Sequence, residues 1–299
     1  MNDKKSGSYL IKSFMITFFI MSLIAAVVII LTSVPGFNNS GKNQTSSQLA
    51  NQVLYIPKKT DRMNILISIG DTTDALPSAY FVISIDPEGG KTTVMSLPPQ
   101  IVLKTKEREA TLSERYQYGG IAYAGKAIAE GLSIPVDYYF KFNALGFKSV
   151  VDKIGGVIFD IPYKLVQTDS EKNIYVKIAD EKQFLDGMLL YDFMKFSLWK
   201  NGFDEQNRMQ ASVISTMLNQ RMDDATKYKI EEIYKTAVNS AETNMSYSDF
   251  LKRSDAILYL ASQKDSCTSI SLTGSFRMQN REFYPSQASI ALVLASFKY

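Results

Sequence analysis

The sequence predicts an α/β fold: an α/β/α layered single domain with a mixed central sheet, placed behind one N-terminal transmembrane helix. Three observations carry this expectation. Residues 14–34 are uncharged and almost wholly apolar, matching the roughly 20 residues a helix needs to cross the hydrocarbon core of a bilayer. Beyond them, short apolar runs alternate with segments of helical period, the signature of packed α and β layers. Two of the early apolar runs are joined only by Asp86-Pro87-Glu88-Gly89-Gly90, a turn that returns the chain directly and makes part of the sheet antiparallel.

The elements follow in order. Lys4, Lys5 and Lys12 precede the apolar run against Asp3 alone, so the positive-inside rule places residues 1–13 in the cytoplasm and the rest outside the cell membrane. A cleaved signal peptide would have an apolar region of about 7–15 residues ending at a small-x-small site. This run is longer and ends Ile29-Ile30-Leu31-Thr32-Ser33-Val34, so it reads as a retained single-pass anchor. Residues 35–60 are a polar, small-residue linker with too little apolar surface to fold. Residues 61–299 form the extracytoplasmic domain.

Within it, residues 63–70 read as a buried strand stopped at Gly70-Asp71, and residues 79–85 and 91–97 as a hairpin. Ile121, Ala124, Ile128 and Leu132 share one face of a helix over 121–132. A strand at 136–142 precedes a helix at 144–154, which Gly155-Gly156 ends. Strands follow at 157–163 and, at a sheet edge, 173–178. Asp186 caps a helix running to Phe196, and longer helices cover 205–222 and 225–238. Ser246 and Asp249 have capping-box spacing at the head of a helix that reaches Ala261, and 268–272 is a late strand.

Composition excludes several chemistries. There is no histidine, which removes Ser-His-Asp and Cys-His catalysis and His-ligated zinc. Cys267 is the one cysteine, so neither an intramolecular disulfide nor a cysteine metal site can form. A net charge of +3 gives no argument for a nucleic-acid partner. Trp199 and the tyrosines suit sugar stacking or ordinary packing.

Several phrases recur in a meaningful order: Asn64-Ile65-Leu66 before Gly70-Asp71; Ser84-Ile85-Asp86-Pro87; Met95-Ser96-Leu97-Pro98; and Tyr116-x-Tyr118-Gly119-Gly120. After them come Ile134-Pro135-Val136-Asp137-Tyr138-Tyr139, Asn143-x-x-Gly146-Phe147, Val150-Val151-Asp152-x-x-Gly155-Gly156-Val157 and Leu185-Asp186-Gly187. In this order the chain resembles the LytR-CpsA-Psr family of membrane-anchored cell-envelope proteins. The resemblance implies binding of an undecaprenyl-pyrophosphate-linked glycopolymer, with the lipid tail in a hydrophobic pocket between sheet and helices. It also implies transfer of the phosphoglycosyl portion to peptidoglycan, with Mg2+ and a cluster of arginines neutralising the pyrophosphate. The implied partners are the membrane and a polyprenyl-phosphate-linked glycan or peptidoglycan.

Placed on this sequence, the family's charged positions depart from the pattern. Its Arg-Ser-Asp-Thr falls on Leu76-Pro77-Ser78-Ala79, and its Ile-Pro-Arg-Asp on Leu97-Pro98-Pro99-Gln100. The lysine of its Lys-Ile-Asn phrase falls on Thr111, and Arg-x-Arg on Lys195-Phe196-Ser197. Gly-Arg-x-x-Arg-Gln falls on residues 204–209, putting Glu205 and Met209 in place of an arginine and the glutamine. Losing one preorganised donor to developing charge typically costs about 2.7–4 kcal/mol of transition-state stabilisation. The expectation is therefore a catalytically impaired member that still binds polyprenyl-phosphate lipid or envelope-assembly partners, with no catalytic residue assigned. An active phosphotransferase and a purely structural module are the alternatives.

The candidate ligand-binding residues are Asp71, Lys195, Arg208 and Arg115, and the resemblance makes Asp71 the candidate magnesium ligand. Each has a simpler reading. Asp71 ends a strand in a polar turn, Lys195 complements a helix C-terminus, and Arg208 pairs with Glu205 at i, i+3. Arg115 closes a basic stretch with Lys104, Lys106 and Arg108 that either offers phosphate a new site or is a solvated loop, since Glu107, Glu109 and Glu114 are interleaved.

Overall fold

This computed structural model describes residues 55–222 and 225–297. The expected cytoplasmic tail, transmembrane helix and most of the linker lie outside the described residues, among which no helix is long and apolar enough to cross a membrane.

The chain runs β1 (Met63–Ile69), β2 (Ala79–Asp86), β3 (Lys91–Leu97), β4 (Val102–Lys104), β5 (Glu109–Thr111), α1 (Leu112–Gly131), β6 (Tyr138–Phe142), α2 (Ala144–Ile154) and β7 (Val157–Asp160). It continues with β8 (Leu165–Thr168), β9 (Ile174–Ile178), β10 (Lys182–Leu185), α3 (Gly187–Lys195), α4 (Gly202–Met222), α5 (Lys227–Ser240) and β11 (Ala241–Thr243). Last come α6 (Tyr247–Ala261), β12 (Cys267–Ile270), β13 (Gly274–Arg277), β14 (Glu282–Pro285) and α7 (Gln287–Phe297).

Six strands form one sheet in the order β11-β6-β1-β2-β3-β12. β1, β2 and β3 pair antiparallel, whereas β6 runs parallel to β1 and β12 parallel to β3. The sheet is mixed, as the sequence predicts. Strand alternation separates two cores. Met63, Ile69 and Phe81 face a layer holding Phe147, Leu190, Met209, Ile214 and Ile230 from α2 to α5. Leu66, Tyr80, Val82 and Leu97 face α1 and α7, which supply Ile121, Ala124, Ile128, Val293 and Phe297. This is the expected α/β/α layering.

The first strand is also tied to the last helix. The Asn64 side-chain amide is fully buried and donates to the carbonyls of Pro135 at 2.8 Å and Phe297 at 2.9 Å. The second bond ties the end of the apolar α7 to β1, and the first ties β1 to the segment before β6.

Boundaries differ most from the expectation at two places. α1 begins at Leu112, not near 121, because Thr111 and Glu114 form a capping box and the helix continues through a break at Gly119 and Gly120. The strand expected at 157–163 is short and pairs antiparallel with β10 in a separate two-stranded sheet that encloses β8 and β9 in sequence. Pairs β4–β5, β8–β9 and β13–β14 are small hairpins.

Candidate functional site

Asp71 follows β1 at the end of the central sheet. The turn that carries it is pinned by Gly70 N donating to Phe142 O (3.0 Å) and Ala144 N donating to Asp71 O (3.3 Å). Its carboxylate meets α3, where Tyr191 and Lys195 lie four residues apart on one helical face. The Tyr191 hydroxyl donates to Asp71 Oδ1, and Lys195 Nζ is 3.1 Å from the same oxygen. α3 is held in place by its cap, since Asp186 accepts from Leu189 N at 2.9 Å and Asp152 accepts from Gly187 N at 2.7 Å.

The Lys195 ammonium lies 5.4 Å from the Tyr175 ring and 5.5 Å from the Tyr191 ring, distances suited to cation–π attraction. Tyr191 also has Lys148 Nζ 4.9 Å from its ring. The hydrogen bond from Tyr191, aided by Lys195, holds the Asp71 carboxyl below the usual aspartate range. Burial and the neighbouring Asp71 push the Tyr191 phenol up. Burial likewise raises Asp192 next to it, although Lys148 and Lys195 oppose the rise. The result is a neutralised pair with a protonated phenol beside it.

The structure thus brings together two of the predicted residues, Asp71 and Lys195, and binds them to each other. Among the described residues no three acidic or cysteine side chains cluster as metal ligands. Asp71 supplies one carboxylate with an ammonium alongside, a sparse site for magnesium, which on a single carboxylate draws the rest of its octahedron from water and substrate phosphates.

Arg208 and Arg115 lie elsewhere in the fold. Arg208 is 59% exposed on α4, with Nη2 3.8 Å from Glu205 Oε1. Glu205 is itself buried and accepts from the Tyr163 hydroxyl at 2.8 Å and from Asn201 N at 2.9 Å. It closes the first turn of α4, as a capping carboxylate does. Arg115 is buried. Its guanidinium donates to Thr105 Oγ1 at 2.6 Å, to the Arg108 carbonyl and to the Tyr123 hydroxyl at 3.3 Å. It fastens the β4–β5 hairpin to α1, so a solvated loop describes Lys104, Lys106 and Arg108 but not Arg115.

Sequence reasoning missed Tyr191, although its i, i+4 spacing to Lys195 was available. Trp199 is core, packed edge-on against Phe193 and Phe196. Ser78 donates to the Ile69 carbonyl at 3.3 Å, and Thr111 caps α1.

A second feature lies on the same face of the sheet, at the other end of β1. There an apolar cavity of about 230 Å³ opens between Met63, Ile65, Ile83 and Ile85 of the sheet and Ile230, Ile233 and Ala237 of α5, with α6 behind. Ile65, Ile83 and Ile85 are only half-buried because the helices leave this patch uncovered. Arg221 and Lys229 contribute to its wall.

Comparison with known proteins places this geometry in context. The family model described as LytR_cpsA_psr matches residues 30–297. The chain is 23% identical over 240 residues to the polyisoprenyl-teichoic acid–peptidoglycan teichoic acid transferase TagV of Bacillus subtilis strain 168, covering 77% of this chain and 60% of that protein. It is 23% identical over 198 residues to TagU of the same strain, named as the same kind of transferase, covering 64% of this chain and 62% of TagU. The chain therefore spans less than two thirds of the length of either relative. Among solved structures, a protein described as a transcription regulator from Eubacterium siraeum DSM 15702 superposes with a TM-score of 0.74 at 17% identity, over 86% of this chain and 98% of that one. B. subtilis TagV gives 0.64 at 20% identity, over 80% and 97%. At these identities the structural likeness is one of fold.

Proposed function

The chain belongs to the LytR-CpsA-Psr family, and on that premise we propose that it is a divergent, catalytically impaired member, anchored at the cell membrane by residues 14–34, that binds a polyprenyl-phosphate lipid of the cell envelope. The mutual neutralisation of Asp71 and Lys195 is the observation that carries this. A diphosphate needs several converging cations or donors. The ammonium beside Asp71 is engaged by Asp71 itself. Leu76, Pro99 and Glu205 stand where the resemblance sets arginines, and Glu205 is committed to capping α4. The apolar cavity supports retained binding, since it offers an isoprenoid tail a dry surface next to half-buried isoleucines.

An active glycopolymer phosphotransferase is the second reading, favoured by the names of the relatives and by Lys195 standing at the site. Both are tested on the full chain purified in detergent from its native membrane. Lipid extraction and mass spectrometry should find a bound polyprenyl phosphate, and incubation with Mg2+ and a lipid-linked wall glycan should give no transfer to peptidoglycan. Transfer that disappears in Lys195→Met would establish the second reading. An empty cavity with no transfer would defeat both.

A further inference from the structure

A groove of about 630 Å³ lies between the β13–β14 hairpin and the start of α4, and neither the lipid cavity nor the Asp71 cluster uses it. Its apolar lining is Phe203 of α4, Phe276 and Phe283 of the two strands, and Met278 of the turn at 278–281. Phe283 is buried, Phe203 and Phe276 are half-buried with ring centroids 4.5 Å apart, and Met278 is 80% exposed. The hairpin that presents them is fixed. Phe283 N donates to the Gln100 carbonyl at 2.9 Å, and a Cβ on Gly274 would run into the Tyr284 carbonyl oxygen. Apolar surface held open to water in this way marks an interaction face.

The rim carries one unused charge of each sign. Asp204 and Arg281 are exposed and line the groove, and among the described residues neither side chain has an ionic or hydrogen-bonding partner. Their charged neighbours are occupied: Arg277 lies 4.2 Å over the Tyr284 ring, the Tyr284 hydroxyl donates to Glu282, and Arg208 pairs with Glu205. Arg281 also holds a left-handed backbone, φ +55°, where glycine or asparagine is the favoured residue.

A patch with a projecting apolar side chain, an apolar hollow and one unpaired charge of each sign is complementary to itself. A two-fold axis sets Met278 of each copy, an adaptable side chain, against the phenylalanines of the other, and it brings Arg281 opposite Asp204 twice. We propose that the chain forms a two-fold dimer with a second copy of itself through this groove. The three phenylalanines belong to the core shared with α1 and α7, across the sheet from the lipid cavity, so the contact neither blocks that cavity nor depends on lipid in it.

Sedimentation velocity of the full chain in detergent, across the micromolar range, tests this. The wild type should move from monomer to dimer as concentration rises. Arg281→Asp and Asp204→Arg should each weaken association about tenfold, because each sets two like-charge pairs across the axis. The double variant Asp204→Arg/Arg281→Asp should recover wild-type association, and Met278→Asp should abolish it. Circular dichroism should be the same for all of them, since the three side chains are exposed. A monomer at every concentration overturns the proposal, including a monomer with a small molecule seated in the groove. So does a dimer indifferent to both single exchanges, which would assign association to the anchor or another face, or a double variant no stronger than the single ones. None of these outcomes turns on whether lipid is extracted from the same samples, so failure of the lipid reading and failure of this one are distinguishable.

Discussion

Filling the apolar cavity should separate stability from ligand binding. Ala237 is nearly buried on α5 and lines a void of about 230 Å³. A dry void of about 150 Å³ is enough to accept a benzene ring, so the phenyl group of Ala237→Phe has room without displacing the sheet isoleucines. Fully burying such a side chain contributes about 1.5–3 kcal/mol. For a domain of this size each kcal/mol moves the midpoint by about 2–4 °C, so the variant should melt about 3–12 °C higher. Bound lipid would itself stabilise the wild type. The comparison is therefore made by scanning calorimetry on delipidated full-length chains, with polyprenyl-phosphate uptake then measured by mass spectrometry. The expected result is a higher melting temperature with uptake lost. A lower melting temperature with uptake retained would show that the void is neither free space nor the place where the tail lies.

Three further outcomes follow from the geometry. Glu205→Ala removes the acceptor of Tyr163 and of Asn201 N and should cost about 2–4 kcal/mol in denaturant unfolding; a cost within experimental error would mean that Glu205 does not cap α4. Because the folded-state value of Asp71 is depressed, its contribution to stability is present above the ordinary aspartate value, about 3.9, and is lost as pH falls through the lower folded value. Tyr191→Phe should raise the titration midpoint of the Asp71 carboxyl seen by carbon NMR toward that ordinary value, and an unmoved midpoint would contradict the assigned hydrogen bond. Burial pushes the Cys267 thiol up to about 12, so iodoacetamide at about pH 8 should label it only in unfolding concentrations of denaturant.

The parts of this fold that could be read from sequence are those where local pattern and tertiary need agree. β1 to β3 are short apolar runs buried on both faces, the last two joined by an unmistakable turn, and the capping residues Asp186 and Ser246 mark real helix starts. α1 was misjudged because Tyr118-Gly119-Gly120 looks like a stop, while the Thr111–Glu114 capping box that starts the helix lies upstream of it. The strands of the small hairpins are too short for any period to emerge. At the site, Asp71 and Lys195 were recognisable as positions, but their union was not, since Tyr191 reaches Asp71 across 120 residues of sequence. Arg115 shows the opposite failure. Its interleaved glutamates suggest solvent, and only the folded hairpin takes its guanidinium inside.

The bond from Asn64 to Phe297 spans 233 residues, and its consequence lies in biogenesis. β1 to β3 can pair as soon as they are synthesised, yet the amide at the start of β1 has no lasting acceptor at the α7 position until α7 itself has emerged. Long-range closures of this kind come late and slow assembly. A chain interrupted before α7 would carry an uncovered apolar sheet face with a polar amide stranded in it, a ready substrate for quality-control proteases.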